Sequence, residues 1–331
     1  MRMMVFINNN FTKSTAIALG SMLTMVLLLT SSSARAEYPE KPIELVVGYG
    51  AGGGTDVMAR LVAPFIEKNL GDGASIIIKN VPGASGQIGI TKVANAKPDG
   101  YTLGTYNLPG MMARTLDRKA GYSADSFSYL ANVVGDPNVI VTQKSSPINS
   151  TEKLISAAKA APGELTVSVS ALGGDDQFAL ISLSEELGTE FNLIPFKGSA
   201  KARTAVMGGH VSMSIMNLSE AIKFSSELNI LGVAMESRSP LAPNLPTFKE
   251  QGVNLIGGSQ RGIIAPKGLP ENVEKKLLAA FEKAFQDPAF TKSLENSGNP
   301  PGFLIGDKFK EFNNLQLERA TKNWKVSPWK K

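Results

Sequence analysis

The sequence VVGYGAGGGTD, from Val46 to Asp56, is the most informative part of the chain for its fold. It closes an apolar run, Ile43 to Val47, that predicts a buried strand. After the segment, apolar side chains recur at helical spacing, at Met58, Leu61, Val62 and Phe65. This order predicts a strand, a glycine-rich loop and a helix, with Thr55 or Asp56 as the helix N-cap.

The glycine loop favours an anion-binding site. Its backbone N–H groups are not shielded by Cβ atoms, and the helix behind it adds unpaired N–H groups and the positive end of its dipole. Together these features predict a site for a carboxylate. Two other interpretations stay open, a dinucleotide site and a purely structural turn.

The dinucleotide interpretation rests on Gly48, Gly50 and Gly53, which match the fingerprint G-x-G-x-x-G. The match is weak because the chain contains 32 glycines. The fingerprint also requires an acidic residue at the end of the second strand, about 20 positions further on. The next apolar run, Ser75 to Ile78, ends in Lys79-Asn80 instead, so we favour the carboxylate site.

Residues 1–36 have the features of a secretory signal peptide. Arg2 and Lys13 form a sparse positive region, Ala16 to Leu29 is mostly apolar, and Ala34-Arg35-Ala36 is a small-x-small cleavage pattern. The apolar run is too short and too interrupted for a stable membrane span. We therefore expect cleavage before Glu37, which also removes part of the formal net charge of +5.

Composition excludes several classes of function. The chain has no cysteine, which excludes disulfides, thiolate metal sites, cysteine nucleophiles and a lipid-attached N-terminal cysteine. An exported binding protein without a lipid tether stays near the cell only where an outer membrane encloses it, so we expect a periplasmic location. Nucleic acid is not an expected partner, because no cluster of lysine and arginine with interleaved aromatic residues occurs.

Strands and helices alternate along the chain, which predicts an α/β fold with parallel strands. In the first part, the loops at 48–56, 82–86 and 107–110 follow strands, and ligands bind at the carboxyl ends of such strands. A second glycine loop, Ala171 to Gln177, repeats the chemistry of the first. We therefore predict two α/β lobes that close on one ligand. The predicted division is residues 37–137 for lobe 1, residues 138–258 for lobe 2, and residues 259–331 for a return to lobe 1.

Eight short motifs follow one another along nearly the whole chain after the predicted signal peptide. They are Tyr38-Pro39-x-Lys41-Pro42-Ile43, Ala51-Gly52-Gly53-Gly54-Thr55-Asp56, Asn80-x-Pro82-Gly83-Ala84, Pro98-Asp99-Gly100-Tyr101-Thr102-Leu103, Pro195-Phe196-Lys197-Gly198, Gly208-Gly209-His210-Val211, Pro246-Thr247-Phe248 with Glu250-Gln251-Gly252, and Arg261-Gly262 with Pro266-Lys267-Gly268-Leu269-Pro270. No single motif is decisive. Together, in this order, they resemble the solute-binding proteins of tripartite tricarboxylate transporters, the Bug family.

The resemblance implies a type II periplasmic binding protein fold with a cleft between two α/β lobes. It also implies that a ligand carboxylate is held between loops 49–56 and 171–177, mostly by backbone N–H groups and water. Neither glycine loop carries a basic residue, and the nearest are Lys197 and Arg261, so we expect backbone donors to dominate. The predicted ligand-binding residues are Tyr49, Ala51, Gly52, Gly53, Asp56, Ala84, Asn107, Leu172, Gly173, Gly174, Gln177, Lys197 and Asn217.

The sequence departs from the family pattern at three positions. Gly48 stands where proline is usual, Gln177 where many members carry histidine, and Ser212 where many carry aspartate. The first departure is expected to loosen the loop, and the second changes a polar group near the ligand.

We expect a protein that captures a small carboxylate (a di- or tricarboxylate or an aromatic carboxylate) and delivers it to the membrane permease subunits of a tripartite tricarboxylate transporter. A monomer is expected, with no cofactor, no metal ion and no catalytic residue. The alternatives are a ligand-presenting partner of a membrane sensor kinase and an exported hydrolase. Hydrolysis needs a base, and the one histidine, His210, follows Gly208-Gly209 at a strand start, away from a ligand cleft.

Overall fold

The computed structural model describes residues 38–326, together with Met1 and Pro328. Apart from Met1, the predicted signal peptide, residues 1–36, lies outside the described residues, and so does Glu37 at the predicted cleavage point. None of the helices in the described part combines the length and the apolar character that a membrane span requires. The elements below belong to residues 41–326.

Strand–loop–helix units build the first part of the chain, as the sequence predicts. Its elements are β1 (Ile43–Val47), α1 (Gly54–Leu70), β2 (Ile76–Asn80), α2 (Gln87–Ala94), β3 (Thr102–Leu108) and α3 (Gly110–Asp117). Strand β1 lies between β2 and β3 and runs parallel to both, which confirms the predicted parallel arrangement. The bounds of β1 and the end of α1 before Gly71 also agree with the prediction.

The start of α1 differs from the prediction. Its N-cap is Gly53, which has an extended backbone and makes no side-chain cap hydrogen bond, so the assignment of Thr55 or Asp56 as N-cap is wrong. The run of glycines lets the helix begin earlier than polar side chains would signal. Asp56 lies in the first turn and uses its carboxylate to accept a hydrogen bond from the N–H of Gly52, outside the helix.

A long strand, β4 (Phe127–Gln143), opens the second part of the chain. The elements after it are α4 (Thr151–Ala160), β5 (Thr166–Val169), α5 (Asp175–Leu187), β6 (Asn192–Pro195), α6 (Ser199–Met207), β7 (Met213–Asn217), α7 (Leu218–Ala221) and β8 (Leu228–Val233). The chain ends with β9 (Gly258–Pro266), α8 (Glu271–Gln286), α9 (Pro288–Asn296), β10 (Pro301–Ile305) and α10 (Asp307–Val326).

Strand β4 connects the two parts of the sheet. Up to Pro137 it pairs antiparallel with β9, and from Asn138 onwards it pairs with β7 and β8. The sequence predicts only Val139 to Gln143 as strand. The change of partner falls where we placed the boundary between the lobes, although the division into lobes stays a prediction. Strand β9 also pairs with β3, so the chain returns to the first part of the sheet, as expected.

Each of the two parts of the sheet has its own hydrophobic core clusters. Under the first part of the sheet, aromatic rings pack with centroids 5.4, 5.5 and 5.8 Å apart, in the pairs Tyr129–Phe309, Tyr106–Phe127 and Tyr106–Tyr129. In the second part, apolar clusters lie on both faces, because successive side chains of a strand point in opposite directions. Ile140 belongs to one cluster, and Val139 and Val141 belong to the other.

Helix α2 packs against the end of β1 with no room for a side chain at the contact. A Cβ on Gly89 would lie 2.8 Å from Cα of Gly48 and 2.9 Å from the carbonyl oxygen of Val81. A Cβ on Gly48 would lie 2.9 Å from the carbonyl oxygen of Gly86. Gly48, at the position where proline was expected, is therefore where the first glycine loop meets α2.

We expect Gly89→Ala to destabilise the protein by about 1–3 kcal/mol, because the new methyl group meets backbone atoms that cannot rotate away. Helix propensity alone predicts the opposite sign, since alanine is favoured over glycine by roughly 1 kcal/mol in a helix interior. Urea unfolding followed by circular dichroism measures the free energy of unfolding. Gly50→Ala is the control, because nothing lies within 4 Å of its Cβ position. A Gly89→Ala variant more stable than wild type would contradict the packing argument.

Candidate functional site

A cavity of about 1130 Å³ lies where the loops after β1, β2, β3, β5, β6 and β7 meet. Each of these loops leaves the carboxyl end of its strand, which is where open α/β sheets bind ligands. A second cavity of about 680 Å³ is bordered by Phe178 of α5 and by Phe312 and Arg319 of α10. None of the residues predicted to bind the ligand lines this second cavity, so we take the larger one as the candidate site.

Most of the residues predicted from the sequence line the larger cavity. They are Tyr49, Ala51, Gly52, Gly53, Ala84, Asn107, Leu172, Gly174, Lys197 and Asn217. The other three, Asp56, Gly173 and Gln177, do not line it. Asp56 and Gln177 are buried behind the two loops, so we assign these three residues a supporting role instead of ligand contact.

Each glycine loop contains an internal hydrogen bond of the same kind. In the first loop, the N–H of Gly52 donates to Oδ2 of Asp56 at 2.8 Å, and in the second, the N–H of Gly173 donates to Oε1 of Gln177 at 2.6 Å. In both cases a side chain in the first turn of the following helix reaches back four residues. The N–H groups of Gly52 and Gly173 are thus already used, which corrects our expectation that they bind the anion.

The donors left for an anion are at the helix starts. The first intrahelical bonds run from Val57 N–H to the carbonyl of Gly53 in α1, and from Phe178 N–H to the carbonyl of Gly174 in α5. The N–H groups ahead of these bonds have no backbone acceptor within the helix. One of them, the N–H of Gln177, donates to Oδ1 of Asp176 at 2.9 Å. Gly53, Gly54 and Gly174 line the cavity, so the positive ends of two helices from different parts of the chain face the same space.

Arg261 of β9 lies directly against the start of α1. A Cβ on Gly54 would lie 2.9 Å from Cζ of Arg261. The guanidinium is 3% exposed and forms an ion pair with Oδ2 of Asp136 at 2.9 Å. It also donates to Oδ1 of Asn299 and to Oδ1 of Asn217, each at 3.1 Å. These acceptors are therefore fixed by the fold before any ligand arrives.

Asn217 links this ion pair to α5. Its Nδ2 donates to Oδ2 of Asp175 at 2.8 Å and to the carbonyl of Asp136 at 3.1 Å. Asn138 donates to the same oxygen of Asp175 at 2.8 Å. Burial alone would lower the pKa of Arg261, but nearby carboxylates, that of Asp136 foremost, raise it above its usual value. The guanidinium therefore stays charged.

The cavity has more basic residues than the two, Lys197 and Arg261, that the sequence indicated. Six basic residues line it, against three acidic ones. The basic residues are Arg114, Arg118, Lys197, Arg203, Lys223 and Arg261. Burial, followed by the charge of Asp175, raises the pKa of Asp176 to about 7, so this acidic residue is partly neutral near pH 7 and repels an anion less. The site suits an anionic ligand.

The residues that would suggest hydrolysis or metal binding in the sequence are the histidine and the adjacent pair of aspartates. His210 is exposed and lines neither cavity. Among the described residues, no group of three or more His, Cys, Asp or Glu side chains could hold a metal ion. Asp175 and Asp176, which are adjacent in sequence, bind different partners, because Asp175 accepts from Asn138 and Asp176 accepts from the N–H groups of Ser170 and Gln177.

The chain belongs to the family described as "Tripartite tricarboxylate transporter family receptor", whose model matches residues 58–322, directly after the first glycine loop. The "UPF0065 protein in gbd 5'region" of Cupriavidus necator is 31% identical over 294 residues, which cover 87% of this chain and 89% of that protein. This membership confirms the family that the eight motifs indicated.

Solved structures agree with the fold. Rpa4515 of R. palustris, solved with adipate, is 30% identical and has a TM-score of 0.81, with 87% of this chain and 98% of that chain covered. The periplasmic binding protein BugD is 28% identical with a TM-score of 0.76, over 87% of this chain and 98% of its own. The α/β fold of a periplasmic binding protein is confirmed, and the family to which the chain belongs is one of receptors.

Asp56 fixes the first glycine loop through three donors. Besides the N–H of Gly52, it accepts from Asn80 at 2.9 Å and from Nε of Arg60 at 3.0 Å. Burial alone would raise the pKa of Asp56, but these hydrogen bonds together lower it below the usual 3.8. An aspartate with a lowered pKa in the folded state stabilises the fold above its unfolded pKa. That contribution is lost as pH falls through the folded value.

We expect Asp56→Ala to destabilise the protein by about 1–3 kcal/mol at pH 7, because three hydrogen bonds to a buried carboxylate are lost. The difference from wild type should narrow as the pH falls below about 4, the ordinary pKa of an aspartate, and continue to narrow as the pH approaches the lowered pKa of folded Asp56. Melting temperatures of both proteins across this range measure the effect. Asp72→Ala, at an exposed residue after α1, is the control. A difference that does not change with pH would show that Asp56 does not act as a carboxylate.

Proposed function

We propose that this protein is a periplasmic solute-binding protein that captures a small carboxylate between two α/β lobes. Lobe 1 comprises residues 37–137 and 259–331, and lobe 2 comprises residues 138–258. The observation that carries the proposal is that the starts of α1 and α5 face one cavity lined by an excess of basic residues. Helix starts and buried cations both stabilise a carboxylate.

Each lobe contributes one glycine loop to the cavity, so a ligand that touches both loops favours the closed form. A ligand shifts such an equilibrium only by its difference in affinity for the open and closed forms. The loops are held internally by Asp56 and Gln177, so they approach the ligand as pre-formed units. The adipate with which Rpa4515 was solved is itself a carboxylate, and that relative is 30% identical to this chain.

A thermal-shift screen of the protein from Glu37 onwards, against mono-, di- and tricarboxylates, amino acids and aromatic carboxylates, tests this proposal. A ligand at 100 times its dissociation constant stabilises the folded state by about 2.7 kcal/mol. We expect at least one carboxylate to raise the melting temperature, and matched amides or alcohols not to do so, because the helix starts and the cations select negative charge.

Gly54→Val locates the site. Its Cβ would lie 2.9 Å from Cζ of Arg261, so the new side chain has to push the guanidinium away from the start of α1. We expect this variant to stay folded by circular dichroism and to lose affinity about tenfold or more, as an anion loses close approach to the N–H groups. Lys197→Ala, at an exposed residue of the lining, should weaken binding only modestly. An unchanged affinity in a folded Gly54→Val variant would contradict the site.

The protein is further proposed to act in transport. We infer that residues 1–36 direct export, that the mature protein is a monomer without catalytic activity or lipid anchor, and that it delivers its ligand to the permease subunits of a tripartite tricarboxylate transporter. Uptake of a labelled carboxylate found by the screen, in cells with and without this protein, tests delivery. Normal uptake without the protein, together with its capture by a membrane sensor kinase, would favour the ligand-presenting role.

A further inference from the structure

Arg114 is a buried cation for which residues 38–326 supply no anionic partner. It lies on α3, its side chain is among the largest fully buried ones, and it is only 2% exposed. Its Nε and Nη1 atoms are buried and have no hydrogen-bond acceptor among the described residues. The side chain nevertheless lines the candidate cavity. Because an isolated buried charge is costly, a partner from outside the fold is required to satisfy it.

The surroundings of Arg114 connect it to both glycine loops. A Cβ on Gly110 would lie 2.8 Å from Nη1 of Arg114 and 3.4 Å from the carbonyl oxygen of Gly173, so α3 meets the second loop beside the guanidinium. Burial raises the pKa of the Tyr49 hydroxyl, and the charge of Arg114 opposes that rise. The guanidinium is therefore also within electrostatic reach of the first loop.

The other cations of the cavity are already engaged or exposed. Arg261 is paired with Asp136, and Arg118 donates through Nη2 to Oδ2 of Asp117 at 2.7 Å. Arg203 stacks on a ring, with its Cζ 4.1 Å from the ring centroid of Phe224. Lys197 and Lys223 are exposed. Within the described part of the chain, Arg114 is thus the cavity-lining cation that is both buried and unpaired.

We propose that Arg114 is the counter-ion for a second anionic group of the ligand, separate from the carboxylate held at the start of α1 beside Arg261. This inference rests on the proposed function and narrows it to ligands with two anionic groups. The guanidinium offers a planar fork that matches a carboxylate with two parallel hydrogen bonds. Because the guanidinium lies beside Gly110 and Gly173, it contacts the ligand at the point where the two lobes approach each other.

Calorimetric titrations with matched ligand pairs test the proposal. The pairs are succinate and butyrate, glutarate and valerate, and adipate and caproate, which differ only in the second carboxylate. We expect wild type to prefer the dicarboxylate of at least one pair, and Arg114→Met to weaken that dicarboxylate about tenfold or more while changing its monocarboxylate partner little. Arg114→Lys keeps the charge and should recover part of the preference. Arg238→Met, at a half-exposed pair with Glu250 outside the cavity, should leave both affinities unchanged.

A second readout does not depend on any ligand. Removing an unpaired buried charge relieves its desolvation cost, so Arg114→Met should raise the melting temperature of the ligand-free protein. A fall in melting temperature would mean that Arg114 has a partner within the fold, and the proposal would be overturned.

The outcomes of the titrations separate this proposal from the function on which it rests. If no carboxylate of these pairs or of the wider thermal-shift screen binds wild type, the proposed function fails and this inference fails with it. If carboxylates of the screen bind but wild type prefers the dicarboxylate of no pair, the proposed function stands and the second-group assignment is overturned. If carboxylates bind but Arg114→Met keeps the dicarboxylate preference, the proposed function stands and the role of Arg114 is overturned. An equal loss for both members of a pair would place Arg114 at the carboxylate that they share, which also overturns the second-group assignment.

Discussion

The buried ion pair between Asp136 and Arg261 is the interaction on which the rest of the site depends. Asp136 lies on β4 just before that strand changes partners, and Arg261 lies on β9, the strand that pairs with it. Two buried charges are costly unless further hydrogen bonds satisfy them. Here the N–H of Ser219 donates to Oδ1 of Asp136 at 3.0 Å, and the side chains of Asn217 and Asn299 accept from Arg261. The pair is thereby fixed at the point where both parts of the sheet meet.

This ion pair also explains how charge is distributed in the cavity. Because Asp136 neutralises it, Arg261 orients the start of α1 and the side chain of Asn217 more than it adds net charge. Arg114 has no such partner in the described structure and adds charge directly. Among the cations that line the cavity, Arg261 therefore belongs to the scaffold, whereas Arg114 awaits an anion.

The two glycine loops are each held by a hydrogen bond to a glycine N–H, but different side chains accept it. Asp56 in the first and Gln177 in the second each accept the N–H of a glycine four residues earlier. The N-caps, Gly53 and Gly174, make no side-chain cap bonds. At the start of α5 the carboxylate of Asp176 accepts one of the helix N–H groups, that of Gln177. Helices α4 and α9, which do not line the cavity, are closed by Ser150 and Asp287 instead. Omitting the cap costs roughly 1 kcal/mol or less with glycine, and it leaves N–H donors for a ligand.

Much of the fold could be predicted because the local sequence patterns specify the same strands and helices that the structure contains. The run from Ile43 to Val47, the glycine loop and the helix to Leu70 are specified by apolar periodicity and glycine, which do not depend on distant contacts. The prediction for β4 is too short, because a proline within a strand pattern is typical of an edge or a break. In the structure, Pro137 lies where β4 exchanges β9 for β7, so the strand tolerates it.

The site was less predictable because its charges are defined by tertiary contacts. Helix α3 starts after Pro109, where the sequence predicts a loop, so the sequence does not identify Arg114 as a cavity residue. The sequence places Arg261 near the return strand, but its register opposite Asn107 and its close approach to Gly54 show that it lies beside the first loop. The N–H groups of Gly52 and Gly173, which look free in sequence, are occupied by side chains four residues on. Only the three-dimensional structure shows that these side chains, and not a ligand, accept the two N–H groups.

Amide hydrogen exchange measured by mass spectrometry shows whether both glycine loops bind one ligand together. With a saturating carboxylate from the thermal-shift screen, peptides that cover residues 48–56 and residues 170–177 should both exchange more slowly. Peptides of α4, which does not line the cavity, should be unchanged. Protection confined to one loop, or to residues around Phe312 and Arg319 at the second cavity, would contradict the account.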